Sequence, residues 1–309
     1  MDIEFSGDGE HEWLWLEKTG CNTQWVAQQL AGFAGVPLRD VGYSGLKDRH
    51  AVTAQWFSVR RARGQLHDWS NLKIDGVKLG RWLRHRRKLR RGTHSANQFE
   101  LMLRDVREDP QAALNRVRTT GVPNYFGEQR FGRGGSNIML ATSLFAGRRL
   151  KREQRSMALS AARSLIFNEV LDVRIADGSW DRLLEGDIAC LNGSNSHFPV
   201  DSLDETLRKR CKAFDVHPSG PLWGRNGQAE ARPAIEREVL QRYAVFANAL
   251  EKYGDAARRP LRIGVDQFSW DSAGDVLRLG FTLRRGAFAT SVLREIAVCR
   301  DGRSASPAA

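Results

Sequence analysis

The 309 residues suffice for two domains or one large one, and 41% hydrophobic with 27% charged side chains is ordinary for a soluble globular protein. No apolar run approaches the ~20 residues needed to cross a bilayer, and the opening MDIEFSGDGEHEW is acidic where a signal peptide is basic and then apolar. The expectation is a cytoplasmic protein with no membrane association. The net charge of +12 is concentrated: residues 60–107 hold 14 Lys/Arg against 4 Asp/Glu, a stripe suited to a polyphosphate partner.

Residues 22–34 predict a helix, with Asn22 in the capping position, Val26, Leu30 and Phe33 on one face, and Gly35 and Pro37 as the stop. Two strand-like runs follow, RDVGYS and VTAQWFSV, joined by GLKDRHA. The basic tract RWLRHRRKLRR then puts seven cations into eleven residues. A solvated basic face would look similar, but Trp82 inside the tract and the strand-like sequence after it favour nucleic acid. QFELMLRDV alternates, placing Phe99, Leu101 and Leu103 on one face and Glu100, Met102 and Arg104 on the other; by the same parity Asn97 points where Phe99 points. Asp109 and Pro110 open a short helix ending near Gly121, and GVPNYFGEQRFGRGGSN reads as loop. Two long amphipathic helices are expected over about 155–175 and 233–254, separated by short strands and turns in LEGDIACLNGSNSHFPV. VLRLGFTLRRGAFATSVLREIAV closes the fold as strand, turn and helix, before a small polar tail, SASPAA. Strand-rich ends around a helix-rich middle fit a sheet domain with a helical insertion or two domains in series; periodicity does not choose between them.

The candidate chemistry sits in GYSGLKDRHAV. Asp48 lies on a loop between strands, and Lys47 and Arg49 beside it keep a carboxylate ionised, ready to act as a nucleophile or base where water is excluded. Taken alone, such an Asp more often merely fixes a turn. No GK[ST] follows the glycines, no convincing Ser-His-Asp or Cys-His spacing occurs, and no acidic cluster near Asp48 suits magnesium. Cys21, Cys190, Cys211 and Cys299 are far apart with no CxxC, and none of the seven histidines belongs to an HExxH. A disulfide framework, a structural zinc site and a zinc-dependent deaminase are therefore not expected.

Four stretches together, GLKDRHAVTAQW, GTHSANQFELMLR, GVPNYFGEQRFGRGGSN and GAFATSVLREI, resemble the signature segments of the tRNA pseudouridine synthase D (TruD) family, in the family's order and across roughly residues 11–298. The resemblance implies an α+β fold: a pseudouridine synthase-type catalytic domain with a mixed sheet over 1–122 and 263–309, interrupted by a helix-rich insertion domain over 123–262. It implies an isomerase that converts a uridine of tRNA, at position 13, to pseudouridine with no cofactor and no metal. On the matching positions, Asp48 is the catalytic carboxylate, while Asn97, Phe99, Phe288 and Lys47 contact the substrate. For the two phenylalanines core packing is the alternative, and Lys47 and His50 serve equally as electrostatic partners of Asp48 or as phosphate contacts. Arg84, Arg86, Arg87, Lys88 and Arg90 of the basic tract are expected near the tRNA backbone. Arg130 and Tyr125 are candidates for RNA contact or for joining the domains. Family members usually carry an upstream segment ending in a P-x-D-F-x-V strand that lines the site. This chain begins after it, so the expectation is either a start further upstream or a shortened form with an exposed sheet edge. The competing function is a non-catalytic basic RNA-binding protein. A monomer is expected.

Overall fold

The computed structural model describes residues 4–61, 67–227 and 233–299, so the SASPAA tail lies outside the described residues. Helices and several small sheets give an α+β architecture. The chain divides into two compact units, residues 1–97 and 98–309, with the boundary inside one strand.

The first unit contains β1 (His11–Lys18), α1 (Thr23–Phe33), β2 (Val41–Tyr43), β3 (Thr53–Arg60) and β4 (Val77–His85). The strands form an antiparallel sheet in the order β2-β3-β1-β4, with Leu14 opposite Phe57 and Lys18 opposite Thr53. Period-two alternation turns Leu14 and Leu16 toward α1, where they meet Val26, Ala27, Leu30 and Ala31. Fully burying each such leucine contributes about 1.5–3 kcal/mol. The intervening Trp13 and Trp15 take the other face, where the Trp15 and Trp56 rings lie 5.4 Å apart and Phe5 meets Trp13 edge-on. A strand apolar on both faces shows no alternation, which is why β1 has no strand signal in the sequence. β4 was hidden for a different reason: its cations dominate its pattern. Two details of α1 differ from expectation. Asn22 occupies the cap position without a capping side-chain bond. Phe33 is 40% exposed and stacks on Trp69 rather than joining the Val26–Leu30 stripe.

β5 (Ala96–Leu103) carries the boundary. In it Asn97, Phe99, Leu101 and Leu103 are half-buried while Gln98, Glu100 and Met102 are exposed, the alternation the sequence predicts. α2 (Gln111–Thr120) follows, with the Asp109 carboxylate accepting the Gln111 N–H at 3.0 Å. It ends at Gly121, where φ is +78° and a Cβ would collide with the Ile263 carbonyl; only glycine lets the helix run into β6 (Val122–Pro123) there. Next come α3 (Ser136–Phe145), α4 (Arg152–Ala176), β7 (Ile188–Leu191), β8 (His197–Pro199), α5 (Glu205–Lys212), β9 (Val216–Leu222), α6 (Ala234–Arg242) and α7 (Ala244–Leu250). β10 (Ala257–Pro260), β11 (Arg262–Ile263), β12 (Asp266–Ala273), β13 (Val276–Arg284) and α8 (Ala289–Ile296) complete the unit.

β6 and β11 form a two-stranded antiparallel ribbon, so the chain enters and leaves residues 124–261 at one place. Within that span α4 is the hub. Its Ala158, Ala162, Ile166, Phe167 and Val170 pack with Ala141 of α3, Val239 of α6 and Leu250 of α7. A sheet in the order β10-β9-β7-β8 lies in the same span. Outside the ribbon, β12-β13-β5 form a three-stranded sheet whose Leu277, Leu279, Phe281 and Leu283 pack with Leu114 and Val117 of α2 and Val292 of α8. The single helix expected over 233–254 is two, broken at Tyr243 (φ −107°, ψ 31°). α3 was not anticipated.

Candidate active site

The loop between β2 and β3 carries Asp48, and four interactions from elsewhere in the first unit hold it. The Lys47 N–H donates to Thr23 Oγ1 at 3.0 Å, at the start of α1. Lys18, at the end of β1, donates from Nζ to the Asp48 carbonyl at 2.6 Å and to the Cys21 carbonyl at 2.7 Å. Arg49 Nε donates to the Gly20 carbonyl at 3.1 Å, and Lys47 Nζ donates to Asn97 Oδ1. The Asp48 side chain itself is exposed. Its Oδ1 accepts the His50 N–H at 2.9 Å, a two-residue turn that orients the carboxylate. The turn role is therefore real, and it leaves a carboxylate presented on a braced loop.

The surroundings of that loop are cationic. Lys18 is 1% exposed, and burial pushes its ammonium below the usual lysine value, against the opposing pull of Cys21 and the Asp48 charge. Lys47 is lowered too, by burial first and by repulsion from Lys18 second. Two partly dehydrated ammonium groups beside one loop favour an anion there, whether a carboxylate or a phosphate.

The structure joins Lys47, the chain neighbour of Asp48, to Asn97. Phe99 and Phe288 belong to the second unit, each in its own setting. Phe99 stacks on Phe281 (5.4 Å, 28°) against the α2–α8 cluster. Phe288 precedes α8 and is half-buried against the α4-centred cluster. The cations of the basic tract separate. Arg86 is engaged by Asp8, with Nε at 2.9 Å and Nη2 at 2.8 Å from its oxygens; Arg84 reaches the Gly9 carbonyl at 3.5 Å; Arg87 and Arg90 are exposed; Lys88 donates to the Arg39 carbonyl. Tyr125 and Arg130 join their loop to α4, Tyr125 through Asp172 and Arg130 through Ser160 at 2.8 Å.

The family model for tRNA pseudouridine synthase D (TruD) matches residues 2–143 and 140–296. The chain belongs to the TruD family. Two curated relatives named tRNA pseudouridine synthase D support this. The one from Methylococcus capsulatus is 46% identical over 305 residues, covering 96% of this chain and 86% of the relative; the one from Nitrosococcus oceani is 45% identical over 308 residues with the same coverage. A Methanosarcina mazei crystal structure described as tRNA pseudouridine synthase D (TruD) superposes with a TM-score of 0.72 over 96% of this chain and 89% of its own, at 20% identity, a likeness of fold. Among the described residues no helix is long and apolar enough to cross a membrane.

Within this TruD chain, sequence reasoning missed Lys18. Leu14, Leu16 and Lys18 share the inward face of β1, but a strand with no alternation in its sequence gives no parity from which to read that burial. It also missed Arg259, which donates to Asn124 and, at 3.1 Å, to the Gly286 carbonyl at the start of the segment bearing Phe288. Arg259 lies 4.0 Å above the Phe126 ring, and burial, then Arg130, lowers its guanidinium to about 9. Nothing local in ARRPLR marks it.

Proposed function

We propose that this protein isomerises a uridine of tRNA, at position 13, to pseudouridine, with Asp48 as the catalytic carboxylate. The observation that carries the reading is the Asp48 loop, fastened by Lys18, Thr23 and Arg49 while its carboxylate stays exposed. The reaction breaks the N1–C1′ bond, turns the uracil, and joins C5 to C1′. The C5 proton leaves and N1 gains one, so product and substrate are isomers, and no electrons need a carrier. An ionised Asp48 serves by attacking the nucleoside covalently or by removing the 2′ proton. Lys47 and Asn97, bonded to each other, brace the loop or meet the uracil edge. Phe99 and Phe288 offer π-faces for a base taken out of its stack.

The same reading places a catalytic domain in 1–122 and 263–309 and an insertion domain in 123–262. It draws support from the β6–β11 ribbon at that junction and from the separate clusters on either side of it. A monomer working in the cytoplasm on tRNA completes it. The test is Asp48→Ala incubated with uridine-labelled tRNA. Pseudouridine formation should fall at least 10³-fold while tRNA affinity changes less than about 3-fold. Product formation by the variant at the wild-type rate would refute the assignment. Substrate deuterated at C2′ separates the two routes, since only proton removal gives a primary isotope effect.

A further inference from the structure

The first unit holds a cavity of about 720 Å³, within the ~300–1,000 Å³ typical of ligand sites. Gln24 and Gln28 of α1 line it with Arg39, Lys88, Arg90 and Arg91; four cations face it, and its lining contains no acid. The cavity is built rather than incidental. The segment after β4 folds back across β2, where the Leu89 N–H donates to Ser58 Oγ at 2.9 Å and the Gly92 N–H to the Ser44 carbonyl at 2.7 Å. Gly42 permits this close approach, because a Cβ there would collide with the Leu89 carbonyl. Lys88 is tied to the Arg39 carbonyl. Arg91 lies over the Tyr43 ring, 5.1 Å from its centre, and donates to the Tyr43 hydroxyl at 2.6 Å. A guanidinium stacked and bonded in this way loses little further freedom on meeting a phosphate.

The geometry points to this cavity as a grip for the sugar–phosphate backbone of the RNA substrate, distinct from the Asp48 loop. The inference rests on the tRNA reading given above. α1 and β2, which line the cavity, are also the elements at whose ends Thr23 and the Asp48 loop lie, so a strand held here flanks the loop that carries the carboxylate. Cations serve phosphates, and the two glutamine amides serve ribose hydroxyls. Because Arg91 covers the Tyr43 ring, no base stacks on it, and the grip is insensitive to sequence. It also divides the basic tract: Lys88, Arg90 and Arg91 face RNA together with Arg39, whereas Arg86 is engaged by Asp8.

The experiment measures tRNA affinity against salt for the wild type, for Arg39→Gln/Arg90→Gln (both side chains exposed, so folding is undisturbed) and for Arg86→Gln. Each lost phosphate contact lowers the slope of log Kd on log salt by about 0.7–0.9. The double variant should lose about 1.5 from that slope and weaken binding roughly tenfold at low salt. Arg86→Gln should keep the wild-type slope. An unaltered slope in the double variant overturns the grip. So does an unaltered tRNA slope with loss of inorganic phosphate binding, which would mark a small-anion site. A wild type that binds tRNA with the groove-dependent slope yet makes no pseudouridine would leave the grip standing and refute the isomerase reading alone.

Discussion

Lys18 shows how one buried cation serves a loop. Its ammonium donates to the carbonyls of Cys21 and Asp48, two bonds that a methionine of similar length cannot make. An error of about 1 Å in a reacting group costs on the order of 10²-fold in rate. Lys18→Met should therefore lower single-turnover pseudouridine formation 10- to 100-fold while the tRNA Kd moves less than about 3-fold, a split that general unfolding would not give. The pH dependence has a definite sign. Burial depresses the folded-state value of Lys18, so between that value and the ordinary 10.5 the unfolded chain binds more protons, and stability rises with pH through the window. As pH falls through the folded value that contribution is lost. Urea midpoints from pH 8 to 10.5 should accordingly rise less in Lys18→Met than in the wild type.

In β9 the same physics acts on a histidine. His217 is buried, its Nδ1 accepts from Arg262 Nε at 3.3 Å, and burial followed by Arg262 and Arg284 lowers it to about 3. It is neutral when folded and charges near 6.5 when unfolded, so its contribution is complete above pH 6.5 and is lost as pH falls toward 3. Each unit costs up to about 1.4 kcal/mol. Urea unfolding between pH 4 and 7 should show a shallower acid loss for His217→Gln than for the wild type. Nearby, Arg174 and Asp187 form a buried pair at 2.8 Å, with further bonds from Arg174 to the Ser179 and Arg182 carbonyls. Removing one partner with Asp187→Ala strands a charge and should cost about 3–5 kcal/mol by denaturant titration. These elements also show what patterns reveal. β5 was legible because only one of its faces is covered. α3 was not, since it follows a glycine-rich stretch that reads as loop. The break at Tyr243 carries no glycine or proline to announce it.

For the molecule as a whole, charge is the property that reaches furthest. Ten of the twelve net positive charges fall within residues 60–107, yet the structure engages some of them internally and leaves others facing a cavity. If four phosphates are neutralised there, the expected slope of log Kd on log salt is about +3 to +3.5, so raising salt from 50 to 200 mM should weaken tRNA binding roughly 10²-fold. Filter binding across that range measures it directly, and a flat response would exclude electrostatic docking.

Residue order alone was enough to establish family membership, the α+β class, the helix-rich middle, the alternating face of β5 and the candidacy of Asp48, because these reside in local motifs and in periods of two or 3.6. Pairings across long separations came only with the folded chain: Asp8 with Arg86, Tyr43 with Arg91, Lys18 beneath the Asp48 loop. Sheet register and the closeness that Gly42 permits bring those groups within bonding distance. No local pattern records which partner, 30 to 78 positions away, will occupy the other end of a hydrogen bond.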